Sequence, residues 1–205
     1  MCNDVVVKAE AARGRTVDET RHRILDVALE VLGQNPDAGM GDIAAAVGVV
    51  RRTVYGHFPT RYDLVRSLTE RAVAEMAAVL QEVTRSGEPA DAVWTDFVAR
   101  LWPLAHRYRV LLTLRRGEHG KDIHALLVPF DELLADLVGS GQRSGVLGRH
   151  LAAPVLSQVA FAAVFAMADN DLAGHGVSPG AAAITSLLML GVPEARARAL
   201  VDTAA

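Results

Sequence analysis

Two short amphipathic helical patterns lie next to each other between residues 40 and 68, and a glycine separates them. The apolar face of the first pattern consists of Ile43, Ala44 and Val47. That pattern ends at Gly48, and the second pattern predicts a helix over residues 51–57. Two helices joined by a tight glycine-containing turn form a helix-turn-helix unit, whose second helix can lie in the major groove of DNA. The sequence therefore predicts an all-α domain built around such a unit.

The second helix of the predicted unit carries a cluster of polar and cationic side chains. Val54 and Phe58, four residues apart, supply the apolar stripe that would hold this helix to the rest of the domain. Donors beside such a stripe are typical of a surface that contacts phosphates and base edges. The predicted DNA-binding residues of this helix are Arg51, Arg52, Thr53, Tyr55 and His57.

The helix that follows also begins with polar groups that can meet a phosphate. Pro59 forces Phe58 out of helical geometry, and Thr60 with Asp63 predicts a capping box at the next helix start. The Thr60 hydroxyl and Arg61 are therefore added to the predicted DNA-binding residues.

Residue types at fixed offsets from Asp42 to Leu64 resemble the signature of TetR-family transcriptional repressors. The residues that carry this resemblance are Ile43-Ala44, Gly48-Val49, Arg52-Thr53-Val54-Tyr55, His57-Phe58, Thr60-Arg61 and Leu64. The resemblance is strong over residues 16–68 and architectural beyond them. It implies a repressor that docks on DNA through this head and responds to a small-molecule effector bound in a variable body.

Several positions depart from that family pattern. Val50 stands where Ser or Thr is usual, so a helix cap that contributes about 1 kcal/mol is missing. Gly39 stands where Thr is common, and Gly41 replaces a position that often bears a base-contacting side chain. Gly56 costs about 1 kcal/mol in a helix relative to Ala. It suggests close approach of the backbone to DNA, or a helix that orders fully only when bound.

The net charge of the chain limits which part of it can attract DNA. The chain carries a formal charge of −3 and has a pI of about 6.2, so attraction to DNA must be local. The cationic residues near or within the predicted head are Lys8, Arg13, Arg15, Arg21, Arg23, Arg51, Arg52, Arg61 and Arg66. A solvated charged face is the alternative interpretation of such runs.

The number of cysteines and the hydropathy of the chain indicate the cellular compartment of the protein. Cys2 is the single cysteine, which excludes an internal disulfide, and the N-terminus has no export-signal pattern. Residues 151–168 are apolar but contain Pro154, Ser157 and Gln158, and they fall short of the roughly 20 strongly apolar residues of a membrane span. A cytoplasmic protein without a membrane helix is expected.

The chain is expected to divide into three parts. Residues 1–15 lack periodicity and predict a flexible arm, in which Arg13 and Arg15 could reach a minor groove; a plain disordered tail is the alternative. Residues 16–68 form the DNA-binding domain, whose first helix is predicted to open at a Thr16–Glu19 capping box. Residues 69–205 form a helical ligand-binding and dimerisation body.

Helical periodicity continues through the body, and no alternating pattern predicts a sheet. A long fourth helix is predicted from Leu64 to Val83, followed by a break at residues 86–89. The further predicted helices cover residues 90–101, 103–115, 121–139, 152–172, 179–190 and 194–203, with breaks at 117–120 and 191–193.

The final helices are apolar around most of their circumference, which requires burial on more than one side. In the resembling family, two such helices pair with their copies in a symmetric four-helix bundle. A homodimer is therefore expected, and completion of the monomer's own core is the alternative. A two-fold dimer would place two recognition helices about 34 Å apart, which matches a palindromic double-stranded DNA operator.

Aromatic and aliphatic residues of the body can line an effector cavity, because small-molecule sites are mostly apolar with a few polar anchors. The predicted ligand-binding residues are Trp94, Phe97, Trp102, His106, Phe130, Phe161, Phe165 and Asn170, with Met167, Arg109 and Asp131 as further candidates. Two tryptophans near an acidic group favour a flat cationic drug, and an apolar acyl or terpenoid molecule is the competing class. For each aromatic residue, plain core packing is the alternative.

Other classes of function find little support in the residues. Two groups of potential metal ligands lie close together in the sequence, but neither has the spacing of a structural zinc site, so no metal and no cofactor are expected. They are His119, Asp122 and His124, and Asp169, Asp171 and His175. No nucleophile elbow or phosphate-binding loop is present, so an enzyme is not expected. A helical ligand-binding or scaffold protein without DNA binding is the alternative that Val50, Gly41 and Gly56 favour.

Overall fold

The computed structural model describes residues 2–114 and 120–204, and the regular structure in these ranges is helical. Contacts divide the chain into two compact units, Met1–Leu68 and Thr69–Ala205. The helices in chain order are α1 (Cys2–Gln34), α2 (Met40–Val47), α3 (Arg51–His57), α4 (Arg61–Thr84), α5 (Ala90–Tyr108), α6 (Val110–Leu114), α7 (Gly120–Ser144), α8 (Ala153–Asn170), α9 (Pro179–Met189) and α10 (Glu194–Ala204). The predicted all-α fold class is confirmed.

The N-terminal unit has a small apolar core. Helix α2 packs against both α1 and α3. The residues of this core with no exposed surface are Ile24, Ala28, Leu32, Ile43, Ala44, Val54, Leu64 and Leu68. They include Ile43 and Ala44 of the predicted apolar face of α2 and Val54 of α3, whereas Val47 of the same predicted face is half-buried.

Helix α1 begins earlier than the sequence predicts. Its backbone is helical from Cys2, so Thr16 lies inside the helix and does not cap it. The predicted capping box at Thr16–Glu19 is therefore wrong. The residues before Thr16 include Ala9, Glu10, Ala11 and Ala12, whose high helix propensity lets the helix continue. The reach of this segment into a minor groove stays a prediction.

The turns around α3 follow the local rules. Gly48 adopts the left-handed conformation with φ of +76°, which a residue with a side chain rarely adopts, and its N–H closes the end of α2. Phe58, before Pro59, has φ of −135° and ψ of 96°, and it ends α3. The predicted box at α4 is present, because the Thr60 N–H donates to an Asp63 carboxylate oxygen at 3.0 Å and the Asp63 N–H donates to the Thr60 hydroxyl at 3.1 Å.

Helix α5 is continuous where the sequence predicts two helices meeting near Trp102 and Pro103. Proline removes one N–H donor and displaces the carbonyl four residues earlier, that of Ala99. Pro103 and Ala99 are both exposed, so water can satisfy that carbonyl. Leu101 and Ala105 are buried on either side of the proline, and their packing holds the helix through it. The chain breaks instead at Arg109, before the short α6.

Helix α7 runs past Gly139, where the sequence predicts its end, and continues to Ser144. The reason is tertiary packing at Gly141. A Cβ on Gly141 would lie 2.5 Å from Leu147 and 2.9 Å from the Cβ of Ala90. The glycine therefore permits a close approach between helices and does not mark a helix end. The predicted break at 117–120 lies largely outside the described residues.

The last helices of the body agree with the predicted pattern. Helix α8 packs against α5, α7 and α9, and α10 packs against α5 and α9. Ala153–His175 is the one stretch in the described ranges that is long and apolar enough to cross a membrane by length and composition. It contacts three other helices of the body and is buried over 39% of its apolar window.

An ion pair between an exposed arginine and a buried carboxylate fixes the C-terminal helix to the body. Arg196 of α10 donates to the Asp91 carboxylate at 2.9 Å, and the Asp91 side chain is 3% exposed. This hydrogen bond raises the pKa of Arg196 above its ordinary value. Because a buried carboxylate needs a partner, the pair fixes the position of α10 beside the start of α5.

Candidate DNA-binding surface and ligand-binding site

The surface of α3 presents the polar residues that the sequence predicts for DNA contact. Val54 is fully buried and faces the core of the head. Arg51, Arg52 and Tyr55 are exposed, and Thr53 and His57 are half-buried. The helix thus holds one apolar residue inside and presents guanidinium, hydroxyl and imidazole donors outside, which is the arrangement that groove binding requires.

The N-terminus of α3 has no side-chain cap. Val50 adopts extended geometry, is 70% exposed and makes no capping hydrogen bond. The Thr53 N–H donates to the Val50 carbonyl oxygen at 2.9 Å, and the N–H groups of Arg51 and Arg52 are left for water or an external acceptor.

Thr60 and Arg61 have partners inside the head. The Thr60 hydroxyl donates to the Asp63 carboxylate at 2.7 Å. The Arg61 guanidinium donates to the carbonyl oxygens of Ala38, at 3.2 Å, and of Pro36. These contacts fix the turn between α1 and α2 and the start of α4. The role of Thr60 is the predicted capping box, whereas the structural role of Arg61 is one that the sequence does not reveal. Their phosphate contacts stay a prediction.

Arg21 is a second cation of the head with a structural role. Its guanidinium lies 4.7 Å from the centre of the Phe58 ring and donates to the Ser67 hydroxyl at 3.0 Å. Cation-π attraction and a hydrogen bond thus join α1 to the turn after α3 and to α4. The local positive charge available to DNA is smaller than a count of arginines suggests.

Gly56 occupies an open position on α3. A Cβ there would meet no atom within 4 Å, and the backbone has helical geometry. The fold of the head therefore does not require glycine at this position. The close approach of its backbone to DNA stays a prediction.

Five of the residues predicted to bind ligand form one aromatic cluster in the body. Successive ring centres lie 5.9 Å apart for Trp94–Phe97, 6.4 Å for Phe97–Phe130, 5.1 Å for Phe130–Phe161 and 4.9 Å for Phe161–Phe165. The Trp94 indole N–H donates to the Ser186 hydroxyl at 2.9 Å. The sequence gives no sign of this partner, which lies 92 residues away along the chain.

The cluster is well packed. Trp94, Phe97 and Phe130 have no exposed surface, Phe165 is 4% exposed, and Phe161 is half-buried. Core packing accounts for the first three rings. Phe161 is the member of the cluster with the largest accessible face.

The remaining predicted ligand residues lie apart from this chain of rings. The Trp102 and His106 rings are 4.9 Å apart, and His106 Nε2 lies 3.3 Å from a carboxylate oxygen of Asp171. Asn170 is exposed, and its side-chain amide donates to the Ala166 carbonyl of its own helix at 2.8 Å. Asn170 is therefore directed at α8 and is not brought to the cluster.

A separate open cleft of about 710 Å³ lies between α4, α5 and α7, within the size range of small-molecule sites. Its lining includes buried Leu80, Val93 and Leu137 and the polar residues Arg85 and Asp136. None of the predicted ligand-binding residues contributes to the lining of this cleft. Sequence periodicity marks its leucines as core and gives no signal for the cleft.

A polar cluster joins α4 to α5 inside the body. Glu75 accepts from Arg71 at 3.0 Å and lies 3.5 Å from Arg107. Tyr108 is 1% exposed, and its burial raises the pKa of the phenol well above the ordinary value, as does the adjacent Glu75. The phenol therefore stays neutral, and the cluster holds α4 to the end of α5.

Helices α8 and α9 present an apolar outer face. Val155 is 50% exposed, Val159 41% and Leu188 43%. The small residues Ala162 and Ala166 are also exposed and continue the helical spacing from Val159. A face of this kind on two neighbouring helices is typical of an oligomer interface.

The two sets weighed for metal binding are only partly visible. His119 and the side chain of Asp122 lie outside the described residues, while His124 is exposed. In the other set, Asp171 is paired with His106, and His175 lies 3.0 Å from the Asn170 carbonyl oxygen.

The sequence matches to known proteins cover the N-terminal head. Residues 24–68 match the family model described as bacterial regulatory proteins, tetR family. The HTH-type transcriptional repressor LfrR of Mycolicibacterium smegmatis is 41% identical over 75 residues, which are 37% of this chain and 40% of that protein. The match therefore spans two fifths of the length of this curated relative.

Solved structures are similar over most of the chain. The TetR-like transcriptional regulator LfrR from Mycobacterium smegmatis, in complex with proflavine, has a TM-score of 0.69 at 25% identity and covers 85% of this chain and 95% of its own. The fatty acid degradation regulator FadR from Bacillus halodurans has a TM-score of 0.70 at 20% identity, and the match covers 83% of this chain and 94% of that one. At 20% identity, the similarity to FadR concerns the fold alone. The similarity thus extends over the head in sequence and over both units in fold.

Proposed function

We propose that this chain, whose DNA-binding head and fold are those of the TetR family of transcriptional regulators, is a cytoplasmic repressor that leaves its operator when an effector binds the body. The observation that carries this proposal is the exposed polar surface of α3 within a head that matches the family model. The curated and solved relatives described above are themselves transcriptional regulators.

Recognition of DNA is assigned to α3. Arg51 and Arg52 contact guanine edges or phosphates, Thr53 a thymine methyl or phosphate, and Tyr55 and His57 phosphates. The uncapped first turn of α3 and the glycine at position 56 let the backbone approach the duplex closely. The docking mode is the one in which the second helix of the unit enters the major groove.

A homodimer is the assembly that the body supports. The exposed apolar face of α8 and α9 would be covered by the same face of a second copy, which a two-fold interface requires. Two heads would then read the halves of a palindromic operator in successive major grooves.

The effector is proposed to be a flat cationic aromatic molecule. Phe161, the half-buried member of the aromatic cluster, offers a ring face for stacking and cation-π attraction, and the buried rings behind it hold that face in place. The relative that shares 25% identity is seen in complex with proflavine, a ligand of that protein. Binding releases DNA only if the effector prefers a body conformation in which the heads no longer fit adjacent grooves.

Replacing Arg52 by alanine is expected to weaken operator binding by about 1–3 kcal/mol, roughly 5- to 150-fold, because a guanidinium contact to a base edge is lost. The measurement is gel retardation of the DNA upstream of the chain's own gene, at increasing salt. Arg85→Ala removes an exposed arginine of the body and is the matched control. Retardation that resists salt, or its absence at low salt, would contradict the repressor and favour a scaffold protein without DNA binding.

Proflavine is expected to bind the purified chain, and Phe161→Ala is expected to weaken that binding by about 0.5–2 kcal/mol, since a ring face is lost. Because flat cationic dyes also insert into DNA, calorimetry on the protein alone is the suitable measurement. Leu133→Ala changes the lining of the separate cleft and serves as the control. A larger effect of Leu133→Ala would assign the ligand to the cleft, and binding of a neutral acyl compound alone would exclude the cationic class.

A further inference from the structure

Gly41, the second residue of α2, lies directly beneath the side chain of Arg51. A Cβ built on Gly41 would lie 2.6 Å from Arg51 Nη2 and 2.9 Å from Arg51 Cζ and Nε. Real Cβ atoms essentially never make contacts this short. The Arg51 guanidinium therefore lies across the first turn of α2, in space that any other residue at position 41 would fill.

The backbone at Gly41 does not need glycine. Its φ is not positive, unlike that of Gly48. Glycine inside a helix costs about 0.5–1 kcal/mol relative to alanine. The atoms that a Cβ would meet belong to the far end of a flexible side chain and not to the core. The conformational consequence of Gly41 thus falls on Arg51 and leaves the fold of the head unaffected.

Arg51 is placed to read DNA. It is the first residue of α3 and is exposed, and the N-terminal residues of a recognition helix are those that contact base edges. Within residues 2–114 and 120–204, no hydrogen bond or ion pair occupies its guanidinium, whereas the Arg61 guanidinium is held by two carbonyl oxygens. A guanidinium reads a base through a planar fork of donors, so the direction of its approach decides which base pair it meets.

We propose that Gly41 is a positioning residue for DNA recognition. Because it has no side chain, the Arg51 guanidinium can lie across the first turn of α2, and this path determines which base pair Arg51 reads. This inference rests on the proposed DNA-binding function. Gly41 itself need not touch DNA, and its contribution passes through the path of the Arg51 side chain.

A double-mutant cycle tests the coupling. Gly41→Ala is expected to weaken operator binding roughly tenfold and to relax the preference at one position of each half-site, while thermal stability stays equal or rises. In a chain that already carries Arg51→Ala, adding Gly41→Ala is expected to change operator affinity less than twofold. Affinity is measured by fluorescence anisotropy with a labelled operator, and base preference by selection from a randomised half-site.

Gly39→Ala is the matched control, because a Cβ at Gly39 meets only a carboxylate oxygen of Asp42 at 3.6 Å, an ordinary contact. If Gly41→Ala weakens binding equally with and without Arg51, the added methyl clashes with DNA directly and the inference is overturned. Unchanged affinity and base preference in Gly41→Ala would also overturn it. A wild-type chain that binds no operator would overturn the proposed function as well, which separates the two failures.

Discussion

Replacing Phe130 by alanine is expected to lower the free energy of unfolding of the body by about 3–5 kcal/mol. Phe130 has no exposed surface, and its ring neighbours those of Phe97 and Phe161 in the aromatic cluster. Removing it loses the transfer free energy of the ring, leaves a cavity, and breaks two aromatic contacts of about 0.5–1.5 kcal/mol each.

Urea denaturation followed by tryptophan fluorescence is the suitable measurement, because both tryptophans of the chain, Trp94 and Trp102, lie in the body. The head then does not contribute to the signal, and the two units need not unfold together. Phe161→Ala is the matched control, since its ring is half-buried and its loss should cost clearly less. Equal losses below about 1.5 kcal/mol for both variants would mean that the cluster lines an adaptable cavity and is not a packed core.

Val159→Glu is expected to convert the proposed homodimer into monomers and to reduce operator affinity by two orders of magnitude or more. Val159 lies in the middle of the exposed apolar face of α8 and is 41% exposed. A two-fold interface repeats every contact, so the substitution buries two uncompensated carboxylates, and each such charge costs several kcal/mol. A single head reads one half-site and loses the second set of contacts.

Molar mass by light scattering and operator anisotropy on the same samples test this expectation. Val128→Glu is the matched control, because Val128 is 42% exposed on α7, outside the proposed interface. A Val159→Glu chain that stays dimeric would refute the assignment of α8 to the interface. A monomer that keeps full operator affinity would instead remove the link between dimerisation and DNA binding.

Local sequence rules account for much of the head. Helical periodicity predicts α2 and the bounds of α3, because apolar residues repeated every three or four positions mark a helix face whatever packs against it. Pro59 ends α3, and the Thr60–Asp63 box opens α4, since both effects act within a few residues. The outward face of α3 follows from the same periodicity.

Contacts between distant residues decided the rest. Pro103 and Gly139 carry the local signals of helix ends, yet α5 and α7 continue through them. Buried Leu101 and Ala105 hold α5 through the proline, and α7 extends to the close approach at Gly141. The sequence likewise presents Arg61 as a cation for DNA, and only the folded head shows its guanidinium held by the turn between α1 and α2.

Residue spacing is enough to predict the helical class, the bounds of α3 and its outward polar face, since each depends on periodicity along one helix. Which of those side chains lack a partner within the head follows from the folded structure alone. It brings the guanidinium of Arg51 over Gly41, joins rings from three helices into one cluster, and opens a cleft beside it. These features depend on where separate helices come together, and a pattern within one helix carries no information about its neighbours.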